Sequence, residues 1–319
     1  MNEKVDLTRV WLFLVFAFGL AWAVDAVIYF TGGLTGLGVG TSAWLLLIIS
    51  MAAPALAHIL TRLVTHEGWQ NTYLRPHLHR SWRFWLAAWI GMPLLVLVGT
   101  WLFFIIFPQF FDTALNDIRQ LLARAGQTAG QPASISPESF IIIQIVQAII
   151  IAPLINGLPV LGEEFGWRAY LLPKLMPLGG RKAMLVLGII WGVWHWPLIA
   201  MGYNYGLTYP GAPWLGLLAM VWFTFTVGTF LGWLTLRANS VWPAVIAHAS
   251  LNGMAAIGVL LSRGQPNPIL GPTVVGLIAS LPFALLALAL LWRSDVFLNK
   301  FVPNRQIPTM LKEEHSQAM

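Results

Sequence analysis

The sequence predicts an all-α fold, a polytopic membrane protein of eight transmembrane helices, and three observations lead there. Of its residues 58% are apolar and only 9% are charged, against about a quarter charged in soluble domains. So few charges cannot cover a water-facing surface, and most of the exterior must face lipid. Eight apolar runs reach the roughly 20 residues that a helix needs to cross a hydrocarbon core of about 30 Å. Lys and Arg flank these runs and interrupt few of them.

The runs can be taken in order. Val10 to Phe30 is too long for the core of a cleaved signal peptide and has no small-residue cleavage site, so it reads as a retained anchor helix. Ala43 to Leu63, Phe84 to Phe107, Phe140 to Leu161, Ala183 to Met201, Trp214 to Leu236, Val241 to Leu261 and Thr273 to Trp292 follow. In lipid every backbone N–H and C=O must be satisfied within the protein, so these runs are expected to be helices. A cytoplasmic N-terminus leaves only Arg119, Arg124 and Arg263 of the 18 Lys and Arg residues on the far side, the asymmetry of the positive-inside rule. The expectation is a multi-pass protein of the cell membrane with both termini cytoplasmic. A single transmembrane domain would fill residues 1–301, and a disordered polar tail residues 302–319. Phe111 to Arg124 places Ala114, Ile118, Leu121 and Leu122 at helical spacing, which fits an interfacial amphipathic helix or a structured loop.

Composition also removes function classes. Zero cysteines exclude a disulfide framework, a thiolate nucleophile and a Cys-based metal site. The net charge of +6 belongs to span-flanking residues, so no nucleic-acid partner is expected. No internal repeat, a common mark of secondary transporters, is found.

Polar groups inside apolar runs carry the functional signal. Of twelve acidic residues, only Asp25, Glu163 and Glu164 fall within or at the ends of apolar spans. One charge at a span centre costs roughly 2.5–3.5 kcal/mol on insertion scales, so two adjacent carboxylates need a reason. Arg168, four residues beyond Glu164, shares its helix face and can pair with it; Glu163, about 100° round the helix, is left to face a cavity. Pro153, Gly157, Pro159, Gly162 and Gly166 loosen the helix nearby, which at membrane depth is tolerated where protein or a wet cavity lines it. His195 follows Trp191 by four residues in the fifth run, and His248 and Asn252 share a face of the seventh. Lone membrane histidines such as His58 read as helix-to-helix hydrogen bonds, and Asp25 likewise. Two carboxylates, two imidazoles and a carboxamide on three helices are instead what water activation requires. Peptide hydrolysis needs a base, donors for the oxyanion and a proton for the leaving amine. A carboxylate in an apolar cavity is a stronger base than one in water; Glu163 with His195 fits that part, and His248 with Asn252 fits oxyanion stabilisation or metal ligation. Gly-x-Ser-Gly, a membrane aspartate pair and His-Glu-x-x-His are all missing.

The succession Glu-Glu-x-x-x-Arg, aromatic-x-x-x-His and His-x-x-x-Asn on separate membrane helices resembles the CAAX-processing and bacteriocin-processing (CPBP, or Abi) family of intramembrane proteases, which includes the type II CAAX prenyl endopeptidases. The motifs fall on Glu163, Glu164 and Arg168, on Trp191 and His195, and on His248 and Asn252, over a core of about residues 140–261. The second motif usually opens with Phe where Trp191 stands here, a change placed nearer to substrate fit than to catalysis. The resemblance implies that Glu163 and His195 activate water, that His248 and Asn252 stabilise the oxyanion, and that Glu164 and Arg168 support them. It implies a membrane-associated protein or peptide substrate, lipidated in some relatives. The cofactor is left open: none, or a single divalent metal such as zinc held by Glu163, His195 and His248.

One tension follows from helix geometry. His195 lies thirteen residues beyond Lys182, about 20 Å along a helix, whereas His248 lies seven residues into its run and Glu163 near the cytoplasmic end of its own. For them to meet, the fifth helix must project into the cytoplasm and the fourth must stay buried past Arg168, with the active-site cavity open to the cytoplasmic side. The competing classes are a proton-coupled small-solute transporter and a non-catalytic immunity or scaffold member of the family.

Overall fold

Helix α1 (Leu7–Phe30) starts where Asp6 accepts a hydrogen bond from the Arg9 amide at 3.1 Å and stops before Gly32, whose φ is 102°. Nine more helices follow in the computed structural model, which describes residues 4–36, 41–129 and 135–298. They are α2 (Thr41–Val64), α3 (Leu78–Ile106), α4 (Asn116–Ala129), α5 (Pro137–Ile150), α6 (Gly157–Gly166), α7 (Gly180–Trp194), α8 (Trp214–Ala238), α9 (Trp242–Met254) and α10 (Leu281–Arg293), with shorter helical turns between them. Apart from one isolated bridge between Phe111 and Ser262, there is no strand pairing among the described residues. The tail expected over 302–319 lies outside them.

Among the described residues five helices are long and apolar enough to cross a membrane: α1, α2, α3, α8, and α9 extended to Leu260. The protein is thus an all-helical membrane protein. Of the five, α8 is the most buried and α1 the least, which puts α8 at the centre. It is flanked by α7 and α10, while α2 bridges α1 and α6, and α9 packs against α3, α5 and α6. The segment read as interfacial helix or loop is helical as α4, with Ile118 fully buried.

Three predicted spans differ in form. The fourth is broken into α5, a turn at Ala152–Ile155, and α6, because Pro153 and Pro159 supply no amide to the ladder. The fifth is interrupted after Trp194: Pro197 cannot donate to the carbonyl four residues back, and His195 becomes the helix end. The eighth begins at Leu281 rather than Thr273. Over the preceding residues the amides of Leu277 and Ile278 bond back to the carbonyls of Ile269 and Leu270 at 2.8 and 3.0 Å, so the strip doubles on itself.

Proline also explains two widened turns. Ala87–Gly91 and Trp167–Leu171 are π turns, each ending two residues before a proline, Pro93 and Pro173. A proline ring clashes with the carbonyl four residues earlier, and bonding across five residues relieves it. The second π turn carries Arg168. It stays inside the protein, for Trp167 to Leu172 are all at most 2% exposed.

Close approach of α6 to α2 depends on two glycines that bracket the carboxylates. A Cβ on Gly162 would lie 2.6 Å from the Met51 carbonyl oxygen, and one on Gly166 would lie 2.5 Å from the carbonyl carbon and oxygen of Pro54. Small residues four apart are how membrane helices bring backbones together. Gly166→Ala should therefore lower stability by about 1–3 kcal/mol, read as a lower unfolding midpoint in detergent; an unchanged midpoint would show that the contact is not tight.

Candidate functional site

The two carboxylates leave α6 in different directions. Glu164 is fully buried, and its Oε1 accepts two hydrogen bonds: from Arg168 Nη1 at 2.9 Å and from His248 Nδ1 at 2.7 Å. One oxygen thus ties α6 to the π turn on one side and to α9 on the other. Arg168 is also fully buried, and its guanidinium lies 4.0 Å from the Trp191 ring centroid, so the indole face meets its charge. Glu164 Oε2 and Arg168 Nε and Nη2 have no hydrogen-bond partner among the described residues.

Glu163 takes the other side. It is 3% exposed, and its Oε2 accepts a hydrogen bond from the Trp191 indole N–H at 2.8 Å. Trp191 sits one helical turn before the break in α7 and serves the site three times. Its indole N–H holds Glu163, its face covers Arg168, and its backbone carbonyl lies 2.8 Å from His195 Nδ1. Because α7 ends there, the His195 amide bonds the Gly192 carbonyl and the ring takes the Trp191 carbonyl. A carbonyl only accepts, so His195 Nδ1 carries the proton, and whenever the ring is neutral its Nε2 is the acceptor. His248 likewise gives its Nδ1–H to Glu164, and its ring meets Trp191 edge-on at 5.5 Å.

These groups share one cavity of about 450 Å³, lined by Glu163, Trp191, His195, His248 and Asn252. All the residues singled out on α6, α7 and α9 are therefore within or against one space, with Glu164 and Arg168 behind it. Asp25 is not among the lining residues; it is buried and accepts a hydrogen bond from Ser50 at 3.4 Å. His58 also lies outside, its Nδ1 2.9 Å from the carbonyl of Phe165.

Several features escape sequence reading. Tyr203 and Asn204 bring polar side chains to the cavity from the turns after the short helix Trp196–Ala200, and Gly202 to Gly206 reads only as a turn. Val274 and Val275 wall the cavity from the strip expected to open the eighth span, held by the Tyr205 hydroxyl on the Val275 carbonyl at 2.9 Å. The indole donor to Glu163 has no sequence signal either: the Trp-for-Phe difference bears on the carboxylate itself as well as on cavity shape.

As a metal centre the donor set does not fit. Among the described residues no three His, Cys, Asp or Glu side chains gather as a ligand group.

Fold and site define an all-helical membrane protein with a buried Glu/His cavity. A family model described as type II CAAX prenyl endopeptidase Rce1-like matches residues 138–254, the segment that carries all three motifs. The chain is also 31% identical over 93 residues to CAAX prenyl protease 2 of Methanococcus maripaludis, an alignment covering 28% of this chain and 34% of that protein. The chain spans about a third of the length of this curated relative. In its motif-bearing segment the chain is thus similar to the type II CAAX prenyl endopeptidases.

Removing one member of a buried ion pair leaves an uncompensated charge. Arg168→Met should therefore destabilise the protein by about 3–5 kcal/mol, seen as loss of monodisperse material on mild heating in detergent. Wild-type heat resistance in that variant would mean that Glu164 does not need its partner.

Proposed function

We propose that the chain is a CAAX-type intramembrane endopeptidase that hydrolyses a peptide bond in a membrane-associated, lipidated protein or peptide. The observation that carries this reading is the shared cavity. Glu163, His195, His248 and Asn252 line one space whose remaining walls are mostly apolar, among them Leu47, Met51, Met220, Phe223, Val274 and Val275. Such a space suits a substrate with a scissile amide next to a hydrocarbon chain.

In this reading Glu163, with His195 Nε2 beside it as a second acceptor, removes a proton from water as the oxygen attacks the amide carbon. The carbonyl π electrons move onto its oxygen, and the resulting oxyanion is met by the Asn252 side-chain N–H and by His248. His248 can donate from Nε2 only as an imidazolium, since its other N–H is committed to Glu164. The Glu164 carboxylate is the counter-charge for that cation, and Arg168 balances Glu164 while the site rests. The proton held by Glu163 then passes to the amine nitrogen as the C–N bond breaks. This route needs no metal ion, in keeping with the scattered donor set. For topology we propose eight crossings with both termini in the cytoplasm and the cavity open to that side, as the Lys and Arg distribution favours.

The test uses a quenched fluorescent peptide with a farnesylated CAAX terminus, presented to reconstituted proteoliposomes. Wild type should cleave it, and Glu163→Gln should lower kcat by about 10²–10⁴-fold, the worth of a general base, with little change in KM. A glutamine variant with near-native kcat would overturn the base assignment. A wild type that cleaves neither farnesylated nor unmodified peptide would overturn the CAAX reading.

A further inference from the structure

We infer that His58 is a positioning residue for the Glu163–Glu164 pair, acting through the carbonyl of Phe165; this rests on the peptidase reading above. His58 is fully buried on α2 and belongs to no part of the proposed chemistry. Both of its ring nitrogens are nevertheless engaged. Arg62 Nε lies 2.6 Å from Nε2, and Nδ1 lies 2.9 Å from the Phe165 carbonyl oxygen. An arginine in a protein only donates, so Nε2 must be the acceptor and the ring is in its Nδ1–H form. That form gives the Nδ1 proton to the carbonyl of Phe165, which directly follows Glu164 and stands two residues before the π turn that carries Arg168.

Stacking reinforces the bond. The His58 ring lies between Phe165, at a centroid separation of 4.1 Å, and Tyr170, at 4.5 Å and 30° between planes. Arg62 is fixed in turn by the Gly68 carbonyl and by Glu67 at 3.8 Å. Glu67 accepts from the Tyr170 hydroxyl at 2.9 Å and pairs with Lys174, and Arg9 on α1 approaches it at 3.5 Å. His58 and its partners therefore grip the catalytic segment before the π turn at Phe165, within it at Tyr170 and after it at Lys174.

The segment needs such a grip. Gly162 and Gly166 bring the backbone of α6 directly against α2, where larger side chains would otherwise interlock, and the turn beyond them is widened. Its register against α2 is thus set by backbone contact plus the side-chain bond from His58. A shift of about 1 Å in a catalytic group can cost about a hundredfold in rate, so a donor that pins the residue beside Glu164 acts on turnover without touching substrate.

The experiment compares His58→Asn with His58→Leu, two side chains of similar shape of which only asparagine can donate to Phe165. The probe is the farnesylated CAAX peptide in proteoliposomes, and Glu163→Gln is the control. His58→Leu should lose about ten- to a hundredfold in kcat with KM little changed, and His58→Asn should recover most of it. Amide hydrogen exchange adds a readout that needs no substrate: exchange over residues 163–172 should quicken in His58→Leu, stay near wild type in His58→Asn, and be unaltered in α8. If His58→Leu does not fold, His58→Phe, which keeps an aromatic ring and lacks the donor, takes its place. Equal kcat and equal exchange in the donor and non-donor variants would overturn the inference. A wild type that cleaves no peptide would instead overturn the peptidase reading, leaving exchange to judge His58 alone.

Discussion

A single carboxylate oxygen, Oε1 of Glu164, joins the parts on which the site depends. It receives Arg168 from the π turn and His248 from α9, at 2.9 and 2.7 Å, with Glu164 and Arg168 both fully buried. Taking ions out of water costs several kcal/mol each, and a buried pair repays that only with good geometry and further hydrogen bonds. Here the second bond is to a cavity-lining histidine. The interaction that makes the buried charges tolerable is thus the one that fixes the orientation of His248, and a change at any of the three residues acts on the other two.

Trp191 extends this constraint to the remaining members. Its face lies against Arg168, its N–H holds Glu163 and its carbonyl holds His195. The last contact exists because α7 breaks at His195, and the break follows from Pro197. Proline also widens the turn bearing Arg168, and glycine lets α6 lie against α2. Local irregularities that weaken isolated helices are what bring three helices to one point.

Much of this is legible in the sequence because membrane chemistry is restrictive. Buried charge is so costly in lipid that Glu163, Glu164 and Arg168 stand out from composition and spacing alone, and the helical repeat puts His248 and Asn252 on one face. The outlines of α1, α2, α3 and α8 follow from length and hydropathy. Hydropathy cannot show where apolar chain stops being helix. Residues 273–280 are as apolar as a span, yet they fold back to wall the cavity, since backbone pairing there is a tertiary matter. Nor does residue type reveal partners: Trp191 reads as a supporting motif aromatic that bears on substrate fit, whereas its N–H reaches a carboxylate twenty-eight residues away in sequence. His58 reads as an ordinary helix-to-helix bond because nothing in its own helix points to Phe165.

The most direct measurement is nitrogen-15 NMR of the histidine side chains in detergent-solubilised protein, with the His248 signals identified among the seven histidines by their loss in His248→Asn. The account predicts a proton on His248 Nδ1 wherever the protein is folded, and a changed Nδ1 environment in Glu164→Gln. A neutral His248 with its proton on Nε2, indifferent to Glu164→Gln, would contradict it.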